Sequence, residues 1–133
     1  MAKILVAASP EPRVILERIL AGHELCGVET MAQAEQCLRE RTFALILCTI
    51  VFDESRMFDL LRLAKSRPEW QQIPFVCARL RHHILDSPIA LQAVAFTCQA
   101  LGAVAFLNIA EYQVNPEREM RDAIEQVLDP PSR

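Results

Sequence analysis

Polar residues that could do chemistry gather in a few short stretches of a mostly apolar sequence. Asp53 and Glu54 form an acidic pair close to Arg56, and carboxylates of this kind can accept a phosphoryl group or bind a metal ion. The simpler interpretation is a solvated loop pair, or an ion pair with Arg56, because exposed ion pairs are common. Both interpretations stay open on the sequence alone.

A basic stretch, 79–83, reads Arg-Leu-Arg-His-His. One hypothesis is that it recognises an acidic partner or a phosphate-bearing ligand; another is that it is a solvated insertion. A third places the Arg79 guanidinium beside Asp53, where it would imitate a bound cation. His82 and His83 have no Cys or carboxylate at metal-ligand spacing, so the sequence predicts no metal site and no cofactor.

Cysteine usage indicates the compartment. The chain has five cysteines, an odd number, and no two of them form a CxxC pair. This pattern is typical of a reducing cytoplasm, where a free Cys behaves as a small apolar residue. We therefore expect a cytoplasmic protein in which Cys48 and Cys77 pack in the core.

The elements that must position these residues alternate between apolar runs and helical periods. Strands are predicted at 4–7, 24–28, 44–48, 73–77 and 103–107. Helices are predicted from 10 to Gly22, at 30–40, from 57 to a stop before Pro68, at 87–101 and at 116–128. Five strands alternating with five helices indicate an α/β fold, a doubly wound parallel sheet with helices on both faces. Ligands bind such sheets at the carboxyl ends of the strands, which directs attention to 8–9, 49–56, 79–86 and 108–109.

Length and composition limit the other possibilities. The 133 residues are 52% hydrophobic with a formal net charge of −3, which indicates one soluble domain, 1–129, and a short tail, 130–133. The acidic balance argues against nucleic-acid binding. The uncharged stretch 87–110 is long enough for a membrane span, but Gln92, Gln99, Gly102 and Asn108 favour a helix followed by a strand, so no membrane insertion is expected.

Several segments together resemble the receiver domain of two-component response regulators. They are KILVAASPEP, VETMAQAEQCL, FALILCTIVFDESRMFDLLRLAK, IPFVCAR and ALGAVAFLN. The resemblance implies a flavodoxin-like sheet of order 2-1-3-4-5.

The residues that receivers use for phosphorylation are changed in this sequence. The resemblance places Ala8 and Ser9 at the Mg²⁺-binding acidic pair, and Thr49 at the aspartate that accepts the phosphoryl group. Arg79 stands at the switch Ser or Thr, and Ile109 at the Lys of the Lys-Pro pair. An aspartyl phosphate needs a carboxylate nucleophile and a divalent cation, and these residues supply neither.

The functional expectation is a degenerate receiver in phosphorelay signal transduction that is not an enzyme and acts by phosphorylation-independent protein–protein interaction. Two alternatives remain. In one, Asp53 serves as a surrogate phosphoryl acceptor. In the other, the chain is a small-ligand-binding module on a flavodoxin-like scaffold.

Helix 87–101 suggests where a protein partner binds. The helical period places Ile89, Ala93, Phe96 and Ala100 opposite the arc that should face the sheet, and no charged residue lies on either side. Exposed apolar patches usually mark interfaces, and in receivers this region is a partner surface. We expect an interface there, as a homodimer or with a foreign partner; the alternative is that the preceding loop covers Phe96.

Overall fold

The sheet forms from the apolar runs of the sequence. The computed structural model describes residues 1–80 and 87–129, so the residues 81–83 of the basic stretch and the tail 130–133 lie outside the described residues. The strands are β1 (Lys3–Ala7), β2 (Glu24–Val28), β3 (Leu45–Thr49), β4 (Phe75–Arg79) and β5 (Ala105–Asn108). All neighbouring pairs are parallel, in the order β2-β1-β3-β4-β5. The expected fold class and strand order are confirmed.

The helices connect the strands across both faces. They are α1 (Pro10–Ile19), α2 (Met31–Glu40), α3 (Phe52–Ser55), α4 (Met57–Ser66), α5 (Pro88–Ala100) and α6 (Pro116–Leu128), with one turn of 3-10 helix at Ile109–Glu111. Three helix starts are fixed by capping side chains, because Thr30, Ser87 and Asn115 each accept a hydrogen bond from the backbone N–H three residues on.

The sequence predicted five helices, and the short helix α3 brings the number of α-helices in the described residues to six. Asp53, Glu54 and Ser55 have φ values of 45°, 56° and 69°, in the left-handed region that L-residues with a Cβ rarely adopt. Phe52 before them is fully buried. The sequence has no glycine here to mark such a turn, so the pattern gave no sign of it.

Two apolar layers cover the sheet because the side chains of a strand alternate between its faces. In β1, Leu5 and Ala7 pack in the layer under α2, α4 and α5. Ile4 and Val6 pack in the layer under α1 and α6. All five residues of β3 and all five of β4 are buried, as expected for central strands of a parallel sheet.

The central strands end later than the apolar runs predicted. The third strand extends to Thr49 and the fourth runs from Phe75 to Arg79. Pairing explains the shift, since Ala78 aligns with Thr49 on one side and Arg79 aligns with Asn108 on the other. Thr49 and Arg79 are therefore fixed by the sheet itself and not by a loop.

The uncharged stretch 87–110 is divided between a helix and a strand. Helix α5 ends at Ala100, Gly102 turns the chain with a φ of 109°, and β5 follows. Among the described residues, no helix has the length and apolar character needed to cross a membrane.

Candidate functional site

The residues that follow β1 are structural. Ala8 is fully buried in the core layer under α1 and α6, and its N–H donates to the Val28 carbonyl at 3.0 Å, which extends the pairing of β1 with β2. Ser9 is the N-cap residue of α1, and its side chain makes no capping hydrogen bond. These two positions offer one methyl group and one hydroxyl.

Thr49 ends β3 inside the protein. Its exposed fraction is 2%, and its Oγ1 has no hydrogen-bond partner within the described ranges 1–80 and 87–129. The residue lines a small cavity, of about 10 Å³, between β3, β4 and α1. The other lining residues are Pro12, Ile50, Val51, Ala78, Arg79 and Leu80. We call this cavity the crevice; it has room for about one water molecule.

Arg79 closes the crevice from the side of β4. Its exposed fraction is 5%, and its Nη1 donates to Oδ1 of Asn108 at 3.1 Å. The same Asn108 oxygen accepts from the Ala110 backbone N–H at 3.1 Å. A buried guanidinium needs such acceptors because an unpaired buried charge is costly. The contact ties the end of β4 to the end of β5, where Asn108 aligns with Arg79.

Ile109 follows β5 and begins the 3-10 turn. Its side chain is buried and packs in the same layer as Leu80, with Tyr112 at the margin. At this position the protein has an apolar contact and no ammonium group.

Asp53 lies in the left-handed turn and holds the start of α2. Its Oδ2 accepts a hydrogen bond from the Met31 backbone N–H at 2.8 Å, one of the N–H groups that a helix cannot satisfy internally. The same oxygen lies 3.8 Å from Nη1 of Arg56. The hydrogen bond described for Arg79 goes to Asn108 and not to Asp53. The pairing of Arg79 with Asp53 therefore stays a prediction.

The buried cysteines belong to the core. Cys48, Cys77 and Cys98 are all fully buried, and burial raises the pKa of Cys48 well above its usual value. The Cys48 thiol donates to the Thr49 carbonyl at 3.6 Å. None of these thiols is available at the surface for chemistry.

The crevice does not fit a magnesium ion. Mg²⁺ prefers carboxylate oxygens in a near-octahedral array, and no residue that lines the crevice among the described ones carries a carboxylate. The Arg79 guanidinium is already buried there, and a divalent cation beside it would be repelled.

Helix α5 presents an apolar face to solvent. Ile89 and Phe96 have exposed fractions of 79% and 74%, and Ala93 and Ala100 are also exposed. We call these four residues the α5 face. The opposite side of α5 carries Cys98, the one residue of this helix that is fully buried. The helical period thus predicted correctly which side faces outward.

The sequence did not indicate some of the residues that line the crevice or bind its lining residues. Pro12 and Leu80 line it, and Asn108 accepts from Arg79. The position of Asn108 at a strand end was visible in the sequence, but its partner depends on the register between β4 and β5.

Solved structures with the same fold are receiver domains. A response regulator from Hahella chejuensis has a TM-score of 0.75 at 18% identity, over 98% of this chain and 97% of that one. The receiver domain of a sensor histidine kinase from Pseudomonas aeruginosa, with magnesium in its active-site cleft, has a TM-score of 0.72 at 15% identity, over 96% and 97%. A phosphorylated cyanobacterial phytochrome response regulator has 0.76 at 18%, over 98% and 96%.

The chain therefore has the flavodoxin-like fold of response-regulator receiver domains. At these identities the likeness establishes the architecture. No family model matches the sequence, and the search of curated proteins gives no match either.

Proposed function

We propose that this chain is a receiver-like domain of two-component signalling that acts by binding a protein and is not switched by aspartate phosphorylation. The observation that carries the proposal is the narrow crevice at the ends of β3 and β4. A phosphoryl group and its cation need far more room than about one water molecule, and the buried Arg79 is one of the residues that line the crevice.

The chemistry of the crevice supports the same conclusion. Thr49 carries a neutral hydroxyl with no hydrogen-bond partner in the described part of the chain, so no described base activates it as a nucleophile. The crevice is also far below the volume of ordinary small-molecule sites, about 300–1,000 Å³. The crevice itself therefore gives the small-ligand alternative no support.

The surrogate-acceptor alternative conflicts with the position of Asp53. The carboxylate that would be phosphorylated already accepts the Met31 N–H and lies near Arg56. Phosphorylation would place a bulkier group at that contact and disturb the start of α2. We infer that Asp53 is a helix-capping residue.

We propose that the α5 face is the partner surface and that a second copy of the chain covers it. The helix carries no charged side chain, so two copies related by a twofold axis meet without like-charge repulsion. Large apolar side chains such as Ile89 and Phe96 gain most from leaving water. A foreign protein is the alternative outcome of the test.

Phosphorylation is tested with acetyl phosphate and Mg²⁺, followed by the intact mass of the protein. We expect no adduct. A stoichiometric gain of about 80 Da, one phosphoryl group, would contradict the proposal. Asp53→Asn is the matched variant. If the wild type gained the phosphoryl group and Asp53→Asn did not, Asp53 would be established as the acceptor.

Self-association is tested by sedimentation over a wide concentration range. The chain is expected to be a dimer, and Phe96→Glu is expected to be a monomer with an unchanged circular dichroism spectrum. Val114→Glu is the matched control, because Val114 is 93% exposed and lies outside α5; it should remain dimeric. A monomeric wild type at high concentration would contradict the second-copy proposal and leave a foreign protein as the partner of this face.

A further inference from the structure

Two cysteines outside the crevice lie in direct contact. Cys26 belongs to β2 and Cys37 to α2, and their Sγ atoms are 3.1 Å apart. Both are partly exposed, whereas the other three cysteines are buried. Exposure therefore separates this pair from the other thiols, of which Cys77 and Cys98 also contact each other.

Local structure explains why the two sulfurs meet. β2 is an edge strand of the sheet, and Cys26 points to the layer that α2 covers. In α2, Cys37 lies between the buried positions Ala34 and Leu38 and at the margin of the same layer. Cys37 also lines an open surface cleft of about 420 Å³ beside β2, so a small oxidant has a path to the pair.

We propose that Cys26 and Cys37 form a peroxide-sensitive dithiol that closes reversibly to an intrachain disulfide. A disulfide requires an S–S distance of about 2.05 Å, so the sulfurs must approach by about 1 Å from their contact. Redox-sensor cysteines are accessible to solvent and often lie next to a second cysteine that resolves them, and this pair shares both of those features.

The reaction balances with hydrogen peroxide as the oxidant. The Cys26 thiolate attacks one peroxide oxygen, an S–O bond forms, the O–O bond breaks, and the leaving hydroxide takes a proton to become water. The Cys37 sulfur then attacks the Cys26 sulfenic acid, an S–S bond forms, and the S–O bond breaks. The second hydroxide takes the Cys37 proton. Two thiols are oxidised by two electrons, and the peroxide is reduced to two waters.

The environment of Cys37 sets the order of attack. Burial and the contact with Cys26 raise the pKa of Cys37 to about 11, so little of Cys37 is thiolate near neutral pH. We therefore assign the first attack to Cys26 and the resolving step to Cys37. Because the thiolate is the reactive form, the rate of oxidation should rise with pH.

The test treats the reduced chain with hydrogen peroxide and measures the intact mass. A loss of about 2 Da, two hydrogens, is expected, with full reversal by dithiothreitol. Alkylation under denaturing conditions should then find three free thiols instead of five. Cleavage after glutamate separates the two cysteines, because Glu29 and Glu35 lie between them; the oxidised protein should give peptides 25–29 and 36–40 linked by a disulfide.

Two serine variants give matched controls. Cys26→Ser and Cys37→Ser each leave one thiol of the pair, so neither should show the loss of about 2 Da. Cys37→Ser should instead accumulate a sulfenic acid at Cys26, which dimedone traps. The proposal is overturned if the wild type keeps five free thiols, if the disulfide maps to other cysteines, or if it forms between chains. Since the wild type alone decides these outcomes, a variant that fails to fold does not weaken the test.

Discussion

Replacing Thr49 by Val should make the protein more stable. The hydroxyl of Thr49 is buried and has no hydrogen-bond partner among the described protein groups, so folding removes it from bulk water and no described protein group replaces that contact. Valine has nearly the same shape and lacks the hydroxyl, and it suits a buried strand position. The substitution removes the uncompensated polar group and leaves the packing of β3 intact.

The expected gain follows from the cost of burying a hydroxyl. Mutational data place that cost at about 1–3 kcal/mol when no partner is present. We expect the free energy of unfolding to rise by about 1–2 kcal/mol, which for a domain of this size corresponds to a Tm increase of about 4–7 °C.

Urea denaturation of Thr49→Val and wild type measures the effect, and an unchanged dependence on urea would show that the folded state is unaltered. Thr30→Val is the matched control, since the Thr30 hydroxyl accepts from the Gln33 N–H at 3.1 Å. Loss of that cap should cost about 1 kcal/mol, so one chemical change has opposite effects at two positions. A Thr49→Val variant no more stable than the wild type would refute the reasoning. The Thr49 hydroxyl would then be hydrogen-bonded in the folded protein, to a bound water molecule.

Three further predictions concern contacts outside the crevice. Asp53→Ala should lower the free energy of unfolding by about 2 kcal/mol, because the helix cap is lost and alanine disfavours the left-handed φ. Asparagine tolerates that φ, so Asp53→Asn should cost less in the same urea assay. Equal losses for the two variants would argue against the capping role. Arg18 holds the pKa of Glu117 below its usual value through two hydrogen bonds. This exposed pair therefore adds stability above pH about 4.3, and that stability is lost as the pH falls through the pKa of Glu117 in the folded state. In thermal melts, Arg18→Gln should slightly reduce the loss of stability with falling pH. His23 contacts the Ala2 N–H and Glu125 at 2.9 and 2.7 Å, and His23→Ala should cost about 2 kcal/mol, while an unchanged midpoint would show that both contacts are dispensable.

The sheet could be predicted because its strands are continuous apolar runs. A strand buried on both faces leaves an uninterrupted run in the sequence, as in 44–48 and 4–7. The α5 face could be predicted for a related reason, since a helical period fixes which residues share a side. Both features depend on local spacing alone.

The details of the crevice could not be predicted because they depend on pairing between distant residues. The charge of Arg79 suggested that β4 had ended, yet pairing with β5 extends the strand and brings Arg79 to Asn108. The role of Asp53 depends on Met31, 22 residues away. The left-handed turn at 53–55 contains no glycine or asparagine that would have signalled it.

The sparse attachment of α5 has a consequence for how it meets a partner. Helix α4 has four buried residues, whereas α5 has only Cys98. Fewer buried contacts therefore hold α5 against local unfolding. A partner that covers Ile89 and Phe96 would supply the missing contacts. Association and local ordering would then be the same event, and amide hydrogens in this helix should exchange more slowly in the complex than in the free chain.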